Sequence, residues 1–237
     1  MDDTRSTVRR GVRAGVVAIG ITVAAVVASV AVAVVVFVLA ALLAYDVFSL
    51  PVLVAGLIAG QLGFLLVGVW YTRRHDRRIP ISWPTRRGVG SIVGGTALAL
   101  GVAFGGLVLL DAIGLLPDSA IEETAAIDPV FLLVLAVLSI VLVAPVEEFL
   151  FRGVIQGRLR DSVGPIPAIL GASLLFGAIH VPNYIGSPAD VLAGALLIVV
   201  VGIVLGALYE LTDNLVVPIA VHAVYNVILL SVSYLAL

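Results

Sequence analysis

Long runs without a charged side chain limit this chain to very few folds. Residues 14–45 contain no Asp, Glu, Lys or Arg, and a helix of roughly 20 apolar residues is enough to cross a bilayer. Further apolar runs begin near residues 51, 88, 129, 165, 189 and 214. They are continuous rather than alternating, which favours helices over a barrel. The sequence therefore predicts an all-α, polytopic transmembrane helical bundle of about seven spans, with six to eight as the range.

Composition agrees with a membrane protein whose surroundings are a lipid bilayer. The chain is 62% hydrophobic and 12% charged, whereas soluble domains are nearer one half apolar and one quarter charged. It has no cysteine, which excludes a disulfide framework, a thiolate nucleophile and a cysteine metal site. The net charge of -2 argues against nucleic-acid binding.

Charge distribution predicts the orientation in the cell membrane. Arginines are concentrated in residues 1–13 and 73–87, whereas residues 111–128 carry five acidic residues and no arginine. Because positive loops stay in the cytoplasm, we expect a cytoplasmic N-terminus. Glu210 and Asp213, in the short loop before the last span, are expected to be solvated. We divide the membrane region into 1–128, with three spans, and 129–237, a catalytic core with four.

Two adjacent carboxylates and an arginine lie deep in the fourth apolar run. Within the sequence Pro-Val-Glu-Glu-Phe-Leu-Phe-Arg, Glu148 and Arg152 are four residues apart and can pair on one helix face. Glu147 is rotated by about 100° from that face, so it is available for chemistry. Ionisable residues at such depth usually mark a functional site.

Two histidines occupy apolar surroundings in later spans. Phe176 and His180 share a face of the fifth span, and His222 and Asn226 share a face of the last. Spans four and five form a hairpin with its tip near residues 163–165, and Glu147 and His180 are almost equidistant from it, so they can meet. We expect the site on the order of 10–15 Å below the cytoplasmic surface, open to that side.

This set of side chains suits hydrolysis of a peptide bond. Glu147 would act as general base with His180 holding the water, while His222 and Asn226 would donate to the oxyanion. Alternatively, Glu147, His180 and His222 would bind zinc; no His-Glu-x-x-His motif is present. A non-catalytic immunity or scaffold protein and a proton relay in a transporter stay open as well.

Three motifs together resemble the CPBP family, which comprises type II CAAX prenyl proteases and the Abi bacteriocin-processing or immunity proteins. They are Glu147-Glu148-x-x-x-Arg152, Phe176-x-x-x-His180 and His222-x-x-x-Asn226. The resemblance covers about residues 130–235 and implies an intramembrane endopeptidase with its site open to the cytoplasm. It implies the same roles for Glu147, His180, His222 and Asn226, with Glu148, Arg152 and Phe176 as support. The expected substrate is a peptide or prenylated protein tail, with no cofactor, although zinc stays an alternative.

Overall fold

The computed structural model describes the backbone of residues 2–237 and the side chains of residues 9–237. Over that range the chain forms eight α-helices, two short strands and a single 3₁₀ turn. The helices are α1 Asp2–Leu42, α2 Leu50–Arg74, α3 Arg86–Ala112, α4 Ala120–Ala125, α5 Val130–Val163, α6 Pro165–Ile179, α7 Pro188–Thr212 and α8 Val216–Ala236. The strands β1 Asp118–Ser119 and β2 Tyr184–Ile185 pair antiparallel.

Six helices are long and apolar enough to cross a membrane, namely α1, α2, α3, α5, α7 and α8. A seventh apolar helix, α6, has 15 residues. The predicted all-α, multi-pass helical bundle is therefore confirmed, with the number of apolar helices that the sequence indicated.

Prolines and short polar side chains fix the helix starts. Proline occupies the first turn of α2, α6 and α7, where its missing N–H would have had no helical partner anyway. Thr85 caps α3 by accepting from the Gly88 amide, and Ser187 caps α7 in a reciprocal capping box with Asp190. Gly164, at φ 81°, makes the reversal from α5 to α6, a conformation that glycine adopts without steric cost.

Helix α5 is the only helix in the described range that departs from regular α geometry over long stretches. Ser139–Val143 and Phe149–Gln156 are π-helical, and the α-helical segment Ala144–Glu148 lies between them. Pro145 gives a physical reason for the first stretch, because proline has no N–H for an i→i−4 bond and its ring crowds the carbonyl four residues earlier. π-Turns of this kind are frequent at functional sites.

The core surrounds α5. Leu150, Phe151, Val154 and Ile155 are completely buried against α1, α2 and α6. Glycine allows α1 and α2 to pack closely, since a Cβ on Gly63 would lie 2.4 Å from the backbone nitrogen of Ser29. A second apolar cluster joins α3, α7 and α8. The site helices α5, α6 and α8 are thus held from both sides.

One end of the bundle gathers the arginine-rich loop, the α5–α6 turn and the α7–α8 turn. Arg77 pairs with Asp161, and the Asn214 amide donates to the Ser82 carbonyl at 2.9 Å. At the opposite end the Ser233 hydroxyl donates to Glu122 at 2.8 Å. The basic and acidic loops therefore lie at opposite ends of the bundle, and the cytoplasmic position of the N-terminus stays a prediction.

Glu210 is not solvated as the sequence suggested. It accepts a hydrogen bond from Gln156 at 2.9 Å and pairs with Arg160 at 2.9 Å, and its side chain is only 12% exposed. The prediction was wrong because Glu210 lies in the last turn of α7, whose neighbour α5 extends to the same level and brings these partners. Asp213, the residue that follows α7, is exposed.

Candidate active site

The Glu147 carboxylate is buried near the middle of α5, with 6% of the residue exposed. Its Oε1 atom accepts a hydrogen bond of 3.1 Å from the Gln61 side-chain amide on α2. Its Oε2 atom is inaccessible to solvent and has no hydrogen-bond partner among the described residues. A buried carboxylate oxygen without a partner is unusual, which indicates that Oε2 lies at the centre of the candidate site.

His180 approaches Glu147 from α6. It is the residue that directly follows the helix, and its Nδ1 atom lies 2.7 Å from the Phe176 carbonyl oxygen one turn earlier. Because a carbonyl only accepts, Nδ1 carries the hydrogen and the neutral ring presents an unprotonated Nε2. That Nε2 atom lies 3.9 Å from Glu147 Oε2. The structure therefore brings these two side chains together, at the place where the hairpin of α5 and α6 allows them to meet.

His222 approaches the same oxygen from α8. Its Nδ1 atom lies 2.8 Å from Glu148 Oε1, and its Nε2 atom lies 4.0 Å from Glu147 Oε2. The second glutamate therefore orients this ring, which is the arrangement of a carboxylate behind a functional imidazole. Both histidines direct Nε2 toward one carboxylate oxygen.

A buried cation supports this arrangement. Arg152 has no exposed surface, donates to Glu148 Oε1 at 3.1 Å and to the Gly202 carbonyl at 3.0 Å, and lies 4.6 Å from the centre of the Phe176 ring. The predicted Glu148–Arg152 pair is present. A buried carboxylate needs such a counter-charge, because desolvating an unpaired ion costs several kcal/mol.

Phe176 closes the apolar wall of the site. Its ring lies 4.5 Å from the His180 ring and 5.8 Å from the His222 ring, the second pair being nearly perpendicular. The face shared by Phe176 and His180 is thus the one that the spacing of four residues predicts. The ring excludes lipid and water from the two imidazoles on that side.

Asn226 lies one turn beyond His222 on α8, partly buried. Its side-chain amide is 3.5 Å from the Ser139 hydroxyl, at the outer limit for a hydrogen bond, so the amide is held only weakly. The structure brings Glu147, His180 and His222 together directly and leaves Asn226 at the edge of this cluster.

The residues that directly follow His180 are uncharged. Asn183 follows His180 in the 3₁₀ turn Val181–Asn183, and burial raises the pKa of Tyr184 to about 12, so its phenol stays neutral at physiological pH. Tyr184 packs against the position of Gly194 on α7. His180 has the most exposed side chain of the three central residues, at 17%.

Two contacts of the site were missed by sequence reasoning. Gln61, from a span that carries no family motif, holds Glu147, and Glu148 orients His222 as well as pairing with Arg152. Gln61 had a detectable signal, since it is the only side-chain amide in the apolar run 51–71 and such groups usually bond across helices. The Glu148–His222 contact had none, because it depends on the rotation of α5 against α8.

The distances suit a bound water better than a tetrahedral zinc ion. If a water oxygen lay about 2.8 Å from Glu147 Oε2 and from each Nε2, the observed Oε2–Nε2 distances of 3.9 and 4.0 Å would correspond to angles of roughly 90° at the water. Tetrahedral ligands at 2.0–2.1 Å from zinc would lie only about 3.4 Å apart. The residues would have to contract by about half an ångström to hold zinc, and the described range contains no cluster of His, Cys, Asp or Glu at metal-binding spacing.

Comparison with known proteins gives one match. Residues 129–228 match the family model of the Rce1-like type II CAAX prenyl endopeptidases, and this segment contains all seven motif residues. No curated protein and no solved structure matches the chain. The match confirms the resemblance predicted from the sequence: residues 129–228 of this multi-pass membrane protein are similar to the Rce1-like type II CAAX prenyl endopeptidases.

Proposed function

We propose that the protein is an intramembrane endopeptidase in which Glu147 and His180 activate water. The observation that carries the proposal is the Oε2 atom of Glu147, which has no hydrogen-bond partner in the described part of the chain and lies 3.9 and 4.0 Å from the two imidazole Nε2 atoms. Glu147 Oε2 removes a proton from the water, whose oxygen attacks the carbonyl carbon of the peptide bond. The same proton is then available for the leaving amine.

Proton counting supports different roles for the two histidines. A water has two hydrogens, whereas a carboxylate oxygen and two neutral Nε2 atoms offer three acceptors. One ring must therefore carry a second proton if all three groups engage the water. His222 suits that role because carboxylates lie near both of its nitrogens, Glu148 at 2.8 Å and Glu147 at 4.0 Å. Among the described side chains, Glu147 is the one carboxylate that lies within 4 Å of the His180 ring, and His180 Nδ1 donates to the neutral Phe176 carbonyl.

A protonated His222 can donate Nε2–H to the oxyanion of the tetrahedral intermediate. Asn226 supplies a second donor from the next turn of α8, and its long contact with Ser139 leaves the amide easy to redirect. Donors placed where negative charge develops contribute about 3–4 kcal/mol each in characterised enzymes. Glu148, Arg152 and Phe176 keep the His222 ring in place without contacting substrate.

The substrate class follows from the family and the surroundings. The family takes its name from CAAX prenyl endopeptidases, and the site lies among helices that are long and apolar enough to span the bilayer. We expect a peptide bond near a prenylated protein tail, presented from the cytoplasmic side. The alternatives are a zinc-dependent form of the same protease and a non-catalytic membrane protein that has retained the site.

The test is cleavage of farnesylated and unmodified CAAX-type peptides by purified protein in vesicles, with and without a chelator. Glu147→Gln keeps the shape of the side chain and removes the base, so kcat should fall by about 10²–10⁴-fold. Glu123→Gln is the matched control, because Glu123 is exposed on α4 and its variant should retain full activity.

Each outcome separates the readings. Cleavage by Glu147→Gln at the wild-type rate would eliminate Glu147 as the base. Loss of activity with chelator, restored by one zinc per chain, would establish the zinc-dependent form. A wild-type protein that folds and binds lipid but cleaves no peptide of the panel would favour the non-catalytic reading.

A further inference from the structure

An arginine-lined cavity lies at the basic end of the bundle, apart from the candidate active site. It has a volume of about 470 Å³ between the first turns of α1, the end of α2 and the last turns of α5. Four arginines line it, together with two aspartates: Arg13, Arg77, Arg78, Arg158, Asp76 and Asp161. Its lining is therefore net positive by two charges (4 − 2, with His75 neutral), which fits an anionic group.

Among the described side chains, only part of this positive charge is compensated. Arg77 pairs with Asp161, and Arg158 donates to the Ser162 hydroxyl at 3.2 Å. Within the described side chains, Arg13 and Arg78 have no ion-pair partner, and both are exposed. Guanidinium groups match phosphate oxygens in charge and geometry.

An apolar groove leads from this cavity along the membrane face of α1 and α2. Its volume is about 590 Å³, and it shares Val17, Tyr71 and His75 with the cavity before continuing past Gly20 and Ala24. From Arg13 to Ala24 the helix rises about 16 Å, close to half of a ~30 Å hydrocarbon core. A charged pocket above an apolar groove of one leaflet's depth has the shape of a phospholipid.

We propose that this cavity and groove bind one anionic phospholipid, with its phosphate among Arg13, Arg78 and Arg158 and an acyl chain along Gly20. The two parts of the site match the two parts of the lipid, and the bilayer supplies the ligand. The groove residue nearest to Gln61 on α2 is Leu66, five residues or about 7.5 Å along the helix, and neither Gln61 nor any catalytic residue lines the groove or the cavity. It would brace α1 and α2 against the last turns of α5.

The experiment is native mass spectrometry of the full chain with phosphatidylglycerol or phosphatidylcholine. Near an anionic lipid each arginine contributes about fivefold in affinity, so Arg13→Gln with Arg78→Gln should weaken phosphatidylglycerol binding about 30-fold. The control is Arg86→Gln with Arg87→Gln, two exposed arginines at the same end that do not line the cavity. This control should bind as the wild type does.

A second variant tests the groove. A Cβ on Gly20 meets no atom within 4 Å, so Gly20→Trp can fill the groove without disturbing helix packing, and it should also release the lipid. Equal affinity for both lipids, equal loss in the Arg86/Arg87 control, or displacement of the lipid by excess inorganic phosphate would overturn the proposal. So would a Gly20→Trp variant that keeps the lipid but loses affinity for farnesylated peptide, since the groove would then hold substrate.

Discussion

The contribution of the buried Glu148–Arg152 pair to stability can be measured by replacing Arg152. The guanidinium and the Glu148 carboxylate are 1% and 0% exposed and lie 3.1 Å apart. Arg152→Met preserves most of the side-chain volume but leaves the carboxylate without its cation. Breaking a buried pair by removing one partner costs about 3–5 kcal/mol, which is the loss expected in the free energy of unfolding.

The double variant Arg152→Met with Glu148→Gln removes both charges. The glutamine oxygen can still accept from His222 Nδ1, so the ring keeps its partner. Replacing both members of a buried pair by neutral groups is often neutral or stabilising by about 1–4 kcal/mol. The double variant should therefore be within about 1 kcal/mol of the wild type, although each single variant is much less stable.

Unfolding in mixed micelles with increasing dodecyl sulfate, followed by circular dichroism, measures all four proteins of this cycle. Strong non-additivity is the expected result, because the two side chains are in direct contact. A double variant as unstable as Arg152→Met alone would refute the reasoning. The stability would then come from the arginine's contacts with Phe176 and the Gly202 carbonyl rather than from compensation of charge.

Two further variants probe the site and the packing of the first helices. Gln61→Leu removes the only hydrogen bond to Glu147 Oε1 in the described range and leaves that oxygen buried without a partner, which costs about 1–3 kcal/mol. Steady-state cleavage should therefore show kcat/KM reduced about 5- to 150-fold, and an unchanged value would contradict the role of Gln61. Gly63→Ala forces a Cβ to within 2.4 Å of the Ser29 backbone and should lower the free energy of unfolding by about 1–3 kcal/mol. The control is Gly101→Ala, whose Cβ meets nothing within 4 Å and which should leave stability unchanged or slightly improved. Equal melting temperatures of the two variants would show that α1 and α2 can move apart without cost.

Helix number and helix bounds could be read from the sequence because a bilayer requires continuous apolar helices. Helix α7 illustrates this, since the apolar run predicted to begin near residue 189 begins in the structure at Pro188. The pairs Glu148–Arg152 and Phe176–His180 were predictable for a similar reason, because each lies within one helix at a spacing of four residues.

Contacts between helices were harder to predict, because they depend on rotation and relative height. The Glu148–His222 bond joins residues 74 positions apart, and α5 contains π-helical stretches that shift its register from that of a regular α-helix. The error at Glu210 has the same origin, since nothing in the sequence indicates that α5 extends far enough to bring Gln156 and Arg160 to it.

The two π-helical stretches that flank Ala144–Glu148 set the rotation of both glutamates about the helix axis separately from that of the two ends of α5. A wide turn contains about one residue more than an ordinary turn, so each stretch resets the rotation of the next helical segment by roughly 100°. The rotation of Ala144–Glu148 about the helix axis is therefore set by two π-helical stretches, one on the side of each end of the bundle. Deleting one residue from either π-helical stretch would restore a regular helix there. Glu147 would then rotate away from both imidazoles, although every amino acid of the site would still be present in the sequence.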